Sequence, residues 1–205
     1  MSLLITAGAT RNPIDAVRYI SAGSSGRSGV AVARGLQARG VAVWLMGSTE
    51  ARLRAGDLPG EEYGSTRDLM ARMERWVRAN PSGAVVHAAA VGDYEVLGTT
   101  SGKVPSGRER WELVLGPTPK IADHIRAWGC SGPYVTFKAA PPGTPEKDLE
   151  TIARRQRERT GSDLVFANVL GRLGEGILLV AETTERYPQR EAALQALVDW
   201  LAERM

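Results

Sequence analysis

The chain has 205 residues, 43% of them apolar, with 26 basic against 23 acidic side chains, a net charge of +3 and a pI near 9.2. A single cysteine, Cys130, excludes intrachain disulfides and cysteine metal clusters, and no apolar run nears the roughly 18 residues of a membrane span. With no signal peptide at its start, the chain reads as one cytoplasmic domain over 1–205, its mild basicity suited to anionic small molecules as well as to nucleic acid. In chain order, an apolar strand over 3–7 breaks at Gly8, and a long loop of small and polar residues leads to a helix over 27–39. A strand over 41–46 follows, then a helix over 66–79 opened by the capping box Ser65-Thr66-Arg67-Asp68, then a strand over 84–88. Residues 95–110, rich in glycine and poor in apolar residues, read as a mobile flap. Strands are expected at 111–115, 133–137, 163–167 and 177–181, and helices at 119–128, 146–159 and 189–204. Strands alternating with helices of this length predict an α/β fold, a Rossmann-like three-layer sandwich with a mostly parallel central sheet and a flap or hairpin extension.

The loop between the first strand and first helix is the most informative segment. It sets unpaired backbone N–H groups and a helix N-terminus at the carboxyl end of a strand, an arrangement that binds anions. Gly23, Gly26 and Gly29 allow close approach of a ligand, and Ser24 and Ser25 add hydroxyl donors. The loop far exceeds the usual length of about 2–6 residues for a βα connection. Neither common phosphate fingerprint is present: Gly26 is followed by Arg27 rather than Lys-Ser/Thr, and Gly8 by Ala9-Thr10.

Four other segments carry candidate chemistry. Ala88-Ala89-Ala90-Val91-Gly92-Asp93-Tyr94 follows a strand, where small residues leave room for a ligand; Asp93 there is either a turn cap or a contact for a ribose or a cation-bound water. Lys103 stands on the flap, placed to meet charge developing on a leaving group or simply exposed to solvent. Gly116-Pro117-Thr118-Pro119-Lys120-Ile121 reads as a helix start with Thr118 as cap and Pro119 at the first position. Tyr134 and Lys138 have the spacing of a dehydrogenase pair, but on a strand four residues separate them by about 13 Å, so that reading is set aside. The arginine-rich run 154–159 reads as a solvated helix face rather than a nucleic-acid contact.

Residues 5–29 resemble the N-terminal signature of the phosphopantothenoylcysteine synthetase family through Thr6-Ala7-Gly8, Thr10-Arg11, Pro13-Ile14-Asp15, Val17-Arg18-Tyr19-Ile20-Ser21 and Ser24-Ser25-Gly26. The resemblance extends to the Ala89–Tyr94 segment and to the 116–121 segment. It implies a ligase that joins phosphopantothenate to cysteine through an acyl-nucleotide, using CTP or ATP with Mg²⁺, and that works as a homodimer. It implies catalytic roles for Lys103 and Arg18. It also implies nucleotide contacts from Gly8, Thr10, Arg11, Ser24, Ser25, Gly26, Ala89, Ala90, Asp93, Gly116, Pro117, Thr118, Pro119 and Lys138. Departures are equally clear. The family's asparagine after Tyr-Ile-Ser is Ala22, an ungapped alignment puts Lys138 where a base-contacting phenylalanine belongs, and two helix lysines fall near Gln156 and Thr160. The late Ala-Asn-Asp becomes Ala167-Asn168-Val169, and of the flap's lysine motif only Lys103 survives. A nucleotide-binding paralogue with lost or altered ligase activity is therefore the alternative.

Overall fold

A computed structural model describes residues 2–107 and 109–205. β1 (Ser2–Ala7) lies near the middle of an eight-stranded sheet. On one side it pairs in parallel with β4 (Ala42–Gly47), which in turn pairs with β5 (Gly60–Glu62). On the other side run β6 (Ala84–His87), β9 (Tyr134–Ala140) and β10 (Leu164–Val169), all parallel. The antiparallel strands β11 (Glu175–Val180) and β12 (Thr184–Gln189) finish that edge.

Helices α1 (Arg27–Gln37), α2 (Thr49–Ala55) and α5 (Arg190–Ala202) cover one face of the sheet, and α3 (Thr66–Ala79) and α4 (Glu146–Thr160) the other. The strands show why. Leu3, Ile5 and Ala7 join Val30, Leu36 and Leu197 in one cluster, while Leu4 joins Leu69, Met73 and Val85 in another. Alternate residues thus face opposite layers, and both layers are apolar, as a buried parallel sheet requires. Ser65 caps α3 as expected, its hydroxyl accepting from Asp68 N–H; Asp68 returns a bond to Gly64 N–H, one residue outside the box.

Two expected elements differ. The strand expected over 111–115 is displaced, with none over 111–114. Instead β7 (Tyr94–Val96) and β8 (Leu115–Pro117) make an antiparallel ribbon apart from the main sheet, so the flap is a stalked excursion from Tyr94 to Pro117. Arg108, within the expected flap, lies outside the described residues. The helix expected over 119–128 is a short 3-10 turn at Ile121–Asp123 followed by further turns to Gly129. Its apolar spacing still works, since Ile121, Ile125 and Trp128 are all buried. Pro117, Pro119 and Gly129 bracket too short a run for an α-helix to propagate. Thr118 is not its cap: the hydroxyl donates to Gly92 O, 2.6 Å away.

Candidate functional site

From β1 the chain winds outward to β4 and β5, then returns to β6 on β1's other side and continues outward to β9 and β10. The carboxyl ends of β1 and β6 therefore flank a topological switch point, where open α/β sheets place their ligands. Two clefts open there. The larger, of about 630 Å³, is lined by Ser24–Gly29, Ala88–Ala90, Phe137, Asn168 and the first turn of α5. The smaller, of about 250 Å³, is lined by His87, Asp93, Lys120, Lys138, Gln156 and Arg159. Ala89, Ala90, Phe137 and Ala139 border both.

The larger cleft is built around two helix starts that no side chain caps. Gly26 precedes α1 in the left-handed region at φ 74°, and no acidic residue occupies the first turn, so the leading N–H groups remain open to an anion. A Cβ on Gly26 would stand 2.6 Å from Ala51 Cβ, so the loop can pass only with glycine here. Arg190 opens α5; its guanidinium donates to Ser28 Oγ at 2.7 Å and to Leu173 O at 2.8 Å and lies over the Phe166 ring. Burial pulls its pKa below the ordinary arginine value. Phe137 stacks on Phe166 with centroids 4.6 Å apart. Beside them Asn168 is 4% exposed, and its Nδ2 finds no acceptor among the described residues. A buried amide donor facing a cleft without a partner is a costly feature unless a ligand completes it.

In the smaller cleft Lys120 Nζ pairs with Asp93 Oδ1 at 2.5 Å, and Arg159 pairs with Asp123. Gln156 Nε2 donates to Thr136 Oγ1 and Phe137 O. His87 is 7% exposed, and burial depresses its pKa to about 4, so the ring stays neutral near pH 7.

The expected site residues divide sharply. Ser24, Ser25, Gly26, Ala89 and Ala90 line the larger cleft, and Asp93 and Lys138 the smaller. Gly8, Thr10 and Arg11 line neither. Thr10 is fully buried, its N–H bound to Ala90 O and its hydroxyl accepting from Gly92 N and Thr66 Oγ1. Gly8 accepts from Ala90 N, and Arg11 is paired with Glu50 beneath the Tyr19 ring. Gly116 and Pro117 belong to the ribbon's second strand, and Thr118 and Pro119 follow it; the residues of that segment lining a cleft are Lys120 and Ile121. Arg18 holds the flap: it pairs with Asp15 at 2.5 Å, donates to Val104 O and lies over Trp111. Lys103, next to the anchored Val104, is exposed and lines neither cleft.

Phe137 and Lys138 resolve one departure. Neighbours on a strand face opposite sides, so Phe137 packs against the apolar cluster and borders both clefts, while Lys138 lines the smaller alone. Arg190, His87 and Arg159 escaped sequence reasoning as site residues, and Asn168 entered it only as part of the family's late Ala-Asn-Asp motif. The available signals were a lone amide and a lone imidazole inside apolar strands, each polar where the pattern demands an apolar residue.

A family model described as the DNA/pantothenate metabolism flavoprotein C-terminal domain matches residues 1–188. The coenzyme A biosynthesis bifunctional protein CoaBC of Thermococcus kodakarensis is 36% identical over 191 residues, covering 91% of this chain and 47% of that protein. The chain thus spans about half the length of the curated relatives it matches. The crystal structure of the DNA/pantothenate metabolism flavoprotein from Streptococcus pneumoniae superposes with a TM-score of 0.89 at 24% identity, covering 100% of both chains. A Cab2 mutant in complex with phosphopantothenate-cysteine superposes with a TM-score of 0.80 at 18% identity, over 99% of this chain and 85% of that one. Both share this fold.

Proposed function

The chain belongs to the DNA/pantothenate metabolism flavoprotein C-terminal domain family, and on that premise we propose that it is a ligase joining phosphopantothenate to cysteine. In this reading the substrate carboxylate attacks the α-phosphate of CTP or ATP, pyrophosphate leaves, and the cysteine amine then displaces the nucleotide from the acyl carbon. The observation that carries it is the larger cleft. The uncapped start of α1, the Ser24–Gly26 loop, Arg190 and the unpaired Asn168 amide together suit a ligand that is anionic at one end and rich in acceptors at the other. The small residues Ala88–Ala90 leave room for its middle. A neighbour of the same fold solved with phosphopantothenate-cysteine supports the choice of acid and amine.

The chain's own residues would act as follows. Ser24–Gly26 and the first turn of α1 receive the phosphates, Asn168 orients an acceptor of the bound nucleotide, and Lys103 approaches the charge that develops on the leaving pyrophosphate when the flap closes. Arg18 positions the flap rather than touching substrate. Mg²⁺ would neutralise triphosphate charge. Among the described residues no group of three or more His, Cys, Asp or Glu could hold a metal, and each cleft offers one carboxylate, Glu191 or Asp93. That donor set fits an ion carried mainly by phosphate oxygens. The working form is a cytoplasmic homodimer, supported by the exposed apolar side chains of Val17, Tyr94, Leu97 and Val114.

A second reading, a nucleotide-binding paralogue, is favoured by Thr160. It is 3% exposed and bonded to Gln156 O and Ser162 Oγ, so this position offers no charge to the cleft. One assay separates the two. With CTP or ATP, Mg²⁺, phosphopantothenate and cysteine, the ligase releases pyrophosphate, and Lys103→Gln lowers turnover by about a hundredfold or more while nucleotide binding persists. A protein that binds nucleotide by calorimetry and releases no pyrophosphate belongs to the second reading.

A further inference from the structure

Thr6, His87 and Thr136 stand side by side on three neighbouring strands, in register, at the carboxyl edge of the sheet. Their hydrogen bonds fix the imidazole's tautomer. Thr6 Oγ1 accepts from Ala89 N–H at 3.1 Å, and among the described residues the one acceptor within reach of its own buried proton is His87 Nδ1 at 2.9 Å, so the proton goes there. The ring proton therefore sits on Nε2, and this N–H is the ring's remaining polar group toward the smaller cleft, which His87 lines. On the far side of the row, Gln156 bonds to Thr136 Oγ1, so that hydroxyl is already engaged.

The same cleft is lined by three cations and one carboxylate. Lys120 is paired with Asp93 and Arg159 with Asp123, whereas half-buried Lys138 has no ion-pair or hydrogen-bond partner among the described residues. An unpaired ammonium and a fixed neutral N–H thus line one small concavity with excess positive charge. A built-in donor that is 93% buried and cannot turn away favours an acceptor that is itself compact and negatively charged.

We propose that the smaller cleft is an oxyanion subsite, in which Lys138 supplies charge and the Nε2–H of His87 supplies direction to a phosphoryl or carboxylate group. Its volume of about 250 Å³ admits such a group but not a whole nucleotide, and it borders the larger cleft along Ala89, Ala90, Phe137 and Ala139. A ligand crossing that border would keep its bulk on one face of the sheet and an anionic end on the other. The subsite rests on the ligase reading only for which anion occupies it.

The test uses inorganic pyrophosphate and pantothenate as separate probes, titrated into the ¹⁵N-labelled full chain. The chain has only two histidines, so His124, stacked on Trp128, serves as an internal control. Binding at the subsite shifts the His87 Nε2 resonance saturably and leaves that of His124 in place. Lys138→Met, a change to a half-exposed side chain, weakens the effective probe about tenfold or more at an unchanged thermal midpoint, and Lys138→Arg restores most of it. A response to pyrophosphate identifies a phosphoryl occupant, and a response to pantothenate a carboxylate. If neither probe moves His87, or if affinity is equal in wild type and Lys138→Met, the subsite is overturned. Either result is independent of pyrophosphate release in the ligase assay, so failure of one reading is distinguishable from failure of the other.

Discussion

Asp15 is the carboxylate from which the flap hangs. Burial alone would raise its pKa, but backbone N–H groups of Val17, Val104 and Arg18 and the Arg18 guanidinium outweigh that, and it falls from the ordinary 3.8 to about 2. A carboxyl depressed on folding contributes stability that is fully present above its unfolded pKa. The anchor thus holds above about pH 4 and is lost as pH falls through 2. In Asp15→Asn the Val104 amide should exchange with solvent much faster at neutral pH than in wild type, read by hydrogen exchange; equal protection would show that the flap is held elsewhere. Asn168 makes the opposite trade. Its unpaired Nδ2 costs stability in the free protein, so Asn168→Leu should raise the thermal midpoint, by about 2–4 °C per kcal/mol recovered at this chain length, while weakening nucleotide binding. A lower midpoint with undiminished affinity would show that the amide serves packing instead.

At the scale of elements, α1 can deliver its N-terminus to the cleft only because it lies close against β1. A Cβ on Gly29 would meet Ala7 Cβ at 2.7 Å and Thr6 O at 3.0 Å, both on the strand. Gly29→Ala should therefore push the helix off the sheet and destabilise by roughly 1–3 kcal/mol, seen as a lower denaturation midpoint. Gly23→Ala, in the same loop with nothing within 4 Å of its Cβ, should be neutral or slightly stabilising. Equal effects of the two changes would remove close approach as the reason for glycine. The 119–128 segment shows where periodicity reaches its limit. Ile121, Ile125 and Trp128 are spaced like one helix face and are buried like one, yet the backbone turns as a 3-10 element. Burial follows side-chain spacing, while hydrogen-bond class depends on length and on the flanking prolines.

For the whole molecule, most of the exposed large apolar side chains lie on two outgrowths, with Leu53, Trp44, Leu170 and Leu173 elsewhere. Val17 is 61% exposed beside the β2–β3 hairpin (Arg11–Pro13 with Tyr19–Ser21), and Val114 is 67% exposed on the flap stalk. Asn12 Nδ2 joins the two by donating to Tyr94 O. A homodimer covering this surface predicts sedimentation at twice the 22.0 kDa chain mass at micromolar concentration. Val114→Glu should then yield a folded monomer. A clean monomer in the wild type would refute the assembly.

Much of this protein was legible in its sequence. Alternation of strand and helix specified the layered parallel sheet, and the long glycine–serine loop after the first strand marked the cleft, because short-range propensity and backbone freedom are local properties. The edge strand β12, with polar residues and Pro188, carried no comparable signal. Tertiary structure alone decided which matching residues meet the clefts. Thr10 and Arg11 carry the family signature yet spend their polar groups on Ala90, Gly92, Thr66 and Glu50, partners far away along the chain. Of Phe137 and Lys138, adjacent in sequence, the first borders both clefts and the second the smaller alone, because a strand sends neighbours to opposite faces. Asn168 and His87 became visible as candidate site residues only when folding left one amide without an acceptor and set one imidazole in the lining of a cleft. Satisfaction of a buried polar group is a property of its neighbours in space, and linear sequence does not contain it.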